Sequence, residues 1–552
     1  MRALLPALIA ICACGALEAA VHYVAPEDKG GSDEERVPGT KEAPFATLDR
    51  ALRAATAGDT VIMRGGSYAA NVNISVDSVM ITAETGEKPV IALRNGPDNP
   101  AIALQVNSRA VLISGIEIKG GEHGIMVHGE RCIIDQCRIH DVGMQAVKFG
   151  ANAHEGRVSR CELFSAGRKD SARGAAIVVA GAIGVAVQDC WCHENGAEGI
   201  VLFAGSNNCT IERCFISDCR QNGISLCYSG APAAEQGFTL RNTLVRNNYL
   251  KDIAGAAFSC WGTFKTRFTG NTVLNGGESY HGALWLGSVQ LEGKPVANAE
   301  LVVANNIVLM SRESKGSAVE IGEHGVTPDL VLNGNRYHRI GTDPMFESAN
   351  HSAKPMDFAT WREGTKYDEK SSLGDPQLDA NYHLAKGSPC IDAGVPIENC
   401  ADDYDGGLRE RKKPDIGADE FEAGAPLFVP PREGTIGTGG GSSGRRNLPE
   451  KERSPWLEKV LDGLQIKAKA ERQKITKAAL DAWKNALEED ERFAVTYAKI
   501  KDDRDLLATA REDYRKKLSA IWEVCDSELA RKKLLSGDQL DLWKNATRCL
   551  RE

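Results

Sequence analysis

Aromatic residues make up only 6% of the 552-residue chain, too few for one large aromatic-packed core. Cationic excess is also missing: Lys and Arg number 66 against 75 Asp and Glu, a net charge of -9. That balance excludes a polybasic nucleic-acid binder, so no nucleic-acid partner is expected. Long apolar runs are absent beyond the N-terminus, and no later stretch approaches the ~20 residues of a spanning helix, so no transmembrane segment is expected. What the chain does have is glycine, 56 residues of it, alongside an ordinary 42% hydrophobic content. Together these describe many tight turns between short strands rather than disorder.

Met1-Arg2-Ala3, the apolar run Leu4 to Ile11 and the small residues up to Ala20 have the form of a secretory signal over 1–20. The expected location is therefore secreted, periplasmic or cell surface. Export would permit disulfides among the cysteines remaining after Cys12 and Cys14. Their placement tells more, because most fall between Cys132 and Cys260 at equivalent places in a repeat.

The repeat is apolar-x-x-(Cys or Asn). It reads Ile134 to Cys137, Val158 to Cys161, Val187 to Cys190 and Ile211 to Cys214, then Val245 to Asn248, Phe268 to Asn271, Val303 to Asn306 and Leu332 to Asn335. With Ile113 to Ile116 as an earlier copy, its shortest spacings are roughly 21–24 residues, and the longer ones look like the same unit with loops added. A second signature follows each of the early copies, as in Gly124-Ile-Met-Val, Gly199-Ile-Val-Leu and Gly223-Ile-Ser-Leu. Units this small cannot bury an apolar face alone and must stack, strand on strand about 4.8 Å apart, which predicts a parallel β-solenoid. Cys137, Cys161, Cys190 and Cys214 should then form one buried inward column, mostly unpaired with each other and continued by the asparagines.

The opening His22-Tyr-Val-Ala, the stretch Gly39 to Leu48, Gly58-Asp-Thr-Val and Gly65-Gly-Ser-Tyr68 resemble the N-terminal part of secreted proteins of the pectate-lyase-like superfamily. The resemblance implies a mainly β chain with a right-handed parallel β-helix over 21–336, capped by a short helix from Pro44 to Leu52. Over 337–425, Gly374-Asp-Pro, Ser388-Pro-Cys-Ile-Asp-Ala-Gly394, Arg409 and Asp415-Ile-Gly-Ala-Asp-Glu420 resemble the choice-of-anchor Q domain. Its acids Asp392, Asp405, Asp415 and Glu420 either bind a cation or surround Arg409 as a hydrogen-bonding framework. Cys390 and Cys400 lie close enough in sequence to close a disulfide loop.

The segment 426–454 contains Gly437-Thr-Gly-Gly-Gly-Ser-Ser-Gly444 and is expected to be a flexible linker. Beyond it, 455–552 opens on Ser454 as N-cap and Pro455, and should form a separate α-helical hairpin or bundle. Tyr497, Ile500, Leu507, Tyr514, Leu518, Ile521 and Cys525 follow a heptad interrupted by Arg504 and Arg511, the pattern of a coiled coil open to a protein partner or self-association. Trp456, Trp483, Trp522 and Trp543 are expected as core anchors.

Chemistry is expected at one turn of the solenoid. Four residues after each ladder position stand Asp141, Ser165, Glu194, Asp218, Asp252 and Asn275, preceded by His140, Phe164, His193, Ser217, Lys251 and Leu274. Two readings stay open. Stacked carboxylates need a neutralising cation, a basic partner or a raised pKa, as a site would supply. Alternatively, Asp and Asn recur because turn geometry favours them. Under the first reading the resemblance implies a polysaccharide partner, acidic chains included, and calcium as cofactor. Glu194, Asp218 and Asp252 would hold the metal, and His193, Arg220 or Lys251 would act as base. Arg168, Lys169, Arg173 and His281 would contact substrate. The superfamily includes uronate lyases, hydrolases and mannuronan epimerases, but neither the Asp-rich calcium signature of well-known pectate lyases nor the Asp pair of polygalacturonases is present. The rival expectation is a non-enzymatic surface solenoid that binds glycan and docks through its helical tail.

Overall fold

The computed structural model describes residues 19–69, 71–93, 102–167, 174–226, 238, 240–291, 293–398, 400, 402–407, 409–410, 412–421 and short stretches between 473 and 532. Three long parallel sheets dominate it. Sheet A has 12 strands from Val21–Val24 to Val331–Asn333, sheet B has 12 from Gly66–Tyr68 to Ser372–Leu373, and sheet C has 11 from Val72–Ile74 to Phe346–Ser348. Each coil gives one strand to A, then B, then C, and pairs in parallel with the coils before and after. Ile134, Val158, Val187, Ile211, Val245, Phe268, Val303 and Leu332 are consecutive register partners, which is the frame of the sequence repeat.

Most sheet A and sheet B strands are only three residues long because a corner follows at once. Between A and B, one residue per coil takes the left-handed conformation, as at Gln136, Arg160, Asp189, Arg213, Asn247 and Asn305, with φ of 52°, 53°, 56°, 50°, 55° and 55°. The residue after it points inward and forms the ladder. Cys137, Cys161, Cys190 and Cys214 are fully buried there as free thiols, like the other described cysteines. Their sulfurs approach backbone carbonyls, as in Cys161 Sγ to Ser159 O at 3.2 Å. From the next coil onward asparagine replaces cysteine and the bonding strengthens. Asn271 Oδ1 accepts from Asn248 N at 3.0 Å, while Asn271 Nδ2 donates to Val245 O at 3.1 Å. Asn306 and Asn335 repeat the pattern, and the column ends where Asn335 N donates to Ser371 Oγ at 2.8 Å.

Helices close the described ends of the solenoid. The first, Leu48–Ala54, starts later than Pro44 because Thr47 is the N-cap, accepting from Arg50 N through Oγ1 at 3.1 Å. It buries Leu48, Ala51 and Leu52 over the first coils. The second, Phe358–Thr365, places buried Trp361 against the last coil, where its indole N–H donates to Asp368 Oδ2 at 2.9 Å. The β-helix therefore continues past 336 and ends at Ser372–Leu373.

The remainder, up to 421, folds back across the outer face of sheet B. Tyr404 and Ala418 pack on Tyr249 and Leu274, and Leu384, Cys390 and Ile416 pack on Ile307. Buried Arg409 is the hub, donating to Gly417 O at 2.6 Å, Asn247 Oδ1 at 3.1 Å and Glu420 Oε2 at 3.3 Å. Of the four acids, Asp415 and Glu420 bond to Arg409 as a framework. The disulfide is not formed: Cys390 lies in the Ile307 cluster, whereas Cys400 meets Asn247, and both are free.

The signal region, the linker and most heptad positions lie outside the described residues, as do Trp456, Trp483 and Trp543. Within the tail, 473–482 and 520–527 are helical. Ile475, Ala479 and Ala482 are buried, as are Trp522, Cys525 and Leu529. Among the described residues no helix is long and apolar enough to cross a membrane.

Asn271→Ala is expected to lower the denaturation midpoint by the equivalent of about 2–4 kcal/mol, because it strands a buried donor and a buried acceptor. Cys137→Ala should cost about 1–2 kcal/mol, a small cavity only. Urea titration of both variants tests this ranking, and equal costs would remove the asparagine ladder from its special place.

Candidate functional site

At the corner between sheets B and C, Asp141, Ser165, Glu194, Asp218, Asp252 and Asn275 have φ of 57°, 52°, 52°, 53°, 52° and 62°. Left-handed backbone favours Asp and Asn, so turn geometry alone accounts for part of the column. Three of the acids at this corner also have a basic side chain beside them. Asp141 Oδ2 lies 2.8 Å from His140 Nδ1, Glu194 Oε1 lies 3.6 Å from His193 Nδ1, and Asp252 is ion-paired with Lys251. Each base is simply the preceding residue on sheet B.

These pairings revise several expectations. His193 is buried and stacked, 4.8 Å from the Phe164 ring and 4.0 Å from that of Trp191, with Nε2 3.4 Å from Glu162 Oε1. Both nitrogens are engaged by carboxylates, which suits a packing role rather than that of a base. For Lys251, burial disfavours the ammonium, but the hydrogen bond and charge of Asp252 outweigh it and raise the pKa. A general base needs the opposite shift. Asp252 is further committed, since its Oδ1 accepts from Asn275 Nδ2 at 2.7 Å.

Glu194, Asp218 and Asp252 do not converge. Among the described residues, the three-ligand group whose donor atoms lie within 4.8 Å of one another is His383, Asp405 and Asp419, in the C-terminal segment. The expected calcium ligands thus form no preassembled cation site. Asp218 and Arg220 remain exposed on the corner. Arg168, Lys169 and Arg173 lie outside the described residues. His281 sits further round, stacked on Trp285 at 4.4 Å, with Nδ1 3.8 Å from Glu320 Oε2.

A residue not anticipated from the sequence joins these parts. Glu198 opens the sheet C strand Glu198–Phe203 and is only half-buried. Ser225 Oγ donates to its Oε1 at 2.6 Å and Asn222 Nδ2 donates at 3.2 Å, while Ser225 Oγ lies 3.2 Å from Ser259 Oγ. Burial nevertheless dominates and raises the Glu198 pKa above the ordinary carboxylate value. Tyr280 is close enough to feel that charge, and burial with Glu198 raises its own pKa. Gly255 makes the approach possible, since a Cβ there would stand 2.9 Å from Tyr280 OH and 2.6 Å from Asn222 Oδ1. Glu278 connects this patch to the corner: burial first, then the charges of Asp252 and Asp218, raise its pKa as well. The result is an accessible rim of Glu198, Glu278, Tyr280 and His281 over a floor of buried serines, with carboxyls poised to hold and deliver a proton.

The signal for Glu198 was present in the residue just ahead of each second signature. That column reads His123, Gln145, Ala175, Glu198 and Asn222, polar at four of five coils on a face where alternation points outward.

Comparison with known proteins agrees with this architecture. Residues 22–244 match the family described as Pel9A-like, right handed beta helix region. Pectate lyase L of Paenibacillus polymyxa (strain SC2) is 32% identical over 122 residues, 19% of this chain and 27% of that protein. The chain thus spans about a quarter of the length of the curated relative it matches. The crystal structure of pectate lyase Pel9A has a TM-score of 0.48 at 16% identity, covering 73% of this chain and 96% of that one. A rhamnogalacturonan lyase has a TM-score of 0.46 at 16% identity, covering 57% and 87%. The family match over 22–244 and the three parallel sheets describe a right-handed parallel β-helix.

Because the folded pKa of Glu198 is raised, its contribution to stability is complete below the ordinary carboxylate pKa and is lost as pH rises through the raised value. Glu198→Gln, which does not titrate, should gain melting temperature relative to the parent between pH 4 and pH 8. A difference that stays flat across thermal scans in that window would show that the carboxyl is not held in a proton-bearing state.

Proposed function

We propose that this chain binds and cleaves polysaccharide, acidic chains in particular, along the outer face of sheet C and its corner with sheet B. One observation carries the reading: Glu198, a carboxyl whose pKa burial raises, borders the Ser225 and Ser259 hydroxyls and the accessible Tyr280 ring. Glycosidic cleavage by elimination or by hydrolysis requires a proton at the departing oxygen, and a neutral carboxylic acid supplies it. Glu198 is the donor in this proposal. The aromatic rings of Tyr280 and Trp285 offer faces for sugar stacking, and exposed Arg220 can pair with a uronate carboxylate. The likeness to a protein named pectate lyase L favours a uronate polymer and elimination over a neutral glycan. Export to the periplasm, cell surface or medium fits such a substrate.

A second reading is favoured by the C-terminal segment locked around Arg409, whose sequence resembles an anchor-associated domain. It makes the chain a surface-displayed glycan binder whose helical tail engages a partner or another copy.

The test is release of unsaturated uronate from purified protein, followed by absorbance, on polygalacturonate, alginate and a neutral glycan, each with and without calcium. The parent should release product, and Glu198→Gln should lower it by roughly 100-fold while still binding substrate. Asp218→Ala combined with Arg220→Ala should weaken binding of the acidic polymers and leave the melting temperature within a few degrees, since both residues are exposed. Binding without product from any glycan selects the second reading, and full activity in Glu198→Gln removes the proposed donor.

A further inference from the structure

The C-terminal segment brings together a histidine and two aspartates from three separate turns. His383 Nε2 lies 3.0 Å from Asp405 Oδ2, and one donor atom from each of His383, Asp405 and Asp419 falls within 4.8 Å of the others. All three are half-buried, on the outer side of sheet B rather than on the sheet C face where Glu198 lies. The acids around them have separate tasks. Asp403 accepts from Gly407 N at 2.5 Å and Glu420 N at 3.2 Å, and Asp379 Oδ1 accepts from Asn381 N at 2.8 Å and His383 N at 3.0 Å. Backbone amides therefore hold those two carboxylates. Asp419 gives Oδ2 to Leu384 N at 2.7 Å, a bond that fixes the loop carrying His383 next to it.

We propose that His383, Asp405 and Asp419 form a divalent-cation site for a zinc-type ion. The donor set decides the class. One imidazole with two carboxylates is a borderline set of the kind zinc takes, whereas calcium prefers six to eight oxygen ligands. Charge points the same way, because Asp379, Asp405 and Asp419 crowd His383, whose imidazole would give up a proton to an ion bound there. Buried Tyr249 and Tyr404, with ring centroids 4.6 Å apart, wall the region with low-dielectric surface that strengthens an ion's attraction to its ligands. The three ligands come from turns near 383, 405 and 419, so an ion would clamp the segment that covers sheet B. Arg409 reaches two of those turns, contacting Asp402 O and Asp419 O, but has no contact with the turn of His383. The site would be structural and independent of Glu198.

Full-length protein stripped with chelator and dialysed should bind one equivalent of zinc in calorimetric titration, with a rise of several degrees in melting temperature. Manganese should bind more weakly and calcium negligibly. His383→Gln and Asp405→Asn should each abolish the zinc-dependent rise. Because a variant might fold poorly, X-ray absorption of the zinc-loaded parent provides a second measurement, expected to show nitrogen and oxygen ligands including one imidazole. Sulfur ligation, absence of stoichiometric zinc in the parent, or undiminished binding in the His383→Gln and Asp405→Asn double variant would each overturn the site.

Discussion

The structure depends on one recurring constraint, the bonding of each coil to the next at the corner between sheets A and B. A single left-handed residue turns the chain there, and the residue after it must point into a space without water. Whatever fills that position has to pack and also satisfy backbone groups exposed by the turn. Cysteine does the first well and the second weakly, through sulfur contacts such as Cys137 Sγ to Asp135 O at 3.4 Å. Asparagine does both, bonding to the coils on either side. The exchange of one for the other between Cys214 and Asn248 is therefore a change in how firmly successive coils are tied, with Asn248 Oδ1 receiving Cys214 N at 2.9 Å as the junction.

That change coincides with where the C-terminal segment attaches. In the asparagine half, the left-handed residue ahead of the ladder is itself Asn at 247 and 305, facing outward. Asn247 Nδ2 donates to Asp402 O and Asn305 Nδ2 donates to Val395 O, both at 2.7 Å. Adjacent asparagines thus serve opposite sides of the wall, one tying coil to coil and the other tying the wall to its cover. Arg213 and Arg246 add ion pairs to Asp402 at 3.0 and 2.6 Å on the same flank. Sheet B is covered by this packing over its later coils.

The ladder was legible because its frame is local: an apolar residue three positions ahead of Cys or Asn fixes both the inward strand residue and the corner. The corner column was legible as a column, but its meaning was not, since sequence cannot show that Asp218 and Asp252 adopt φ near 53° for the sake of the turn. The surroundings of His193 were equally hidden, with the Phe164 ring one coil away and the Trp191 ring on its own strand closing on it. Glu198 is harder to read because it stands not in a turn, where acids are conspicuous, but at the start of a strand whose apolar pattern reads as core. Its character comes from Ser225 and Asn222, a coil later and 24 to 27 residues distant in sequence.

The pairing of acids and bases at the corner also explains how stacked carboxylates are tolerated. His140 with Asp141, His193 with Glu194 and Lys251 with Asp252 each place a base immediately before the acid, so three rungs hold their acid beside a partner. The rung between the last two breaks the rule, because Ser217 stands before Asp218. Asp218 lies exposed at the surface, and burial first, then the charges of Asp252 and Asp218, raise the pKa of Glu278. A solenoid that sets a base before its neighbouring acids and none before this one is asymmetric along its axis. That asymmetry falls beside Arg220 and one coil from Glu198, so the departure from the repeat, rather than the repeat itself, marks the place where the surface can discriminate a charged sugar chain.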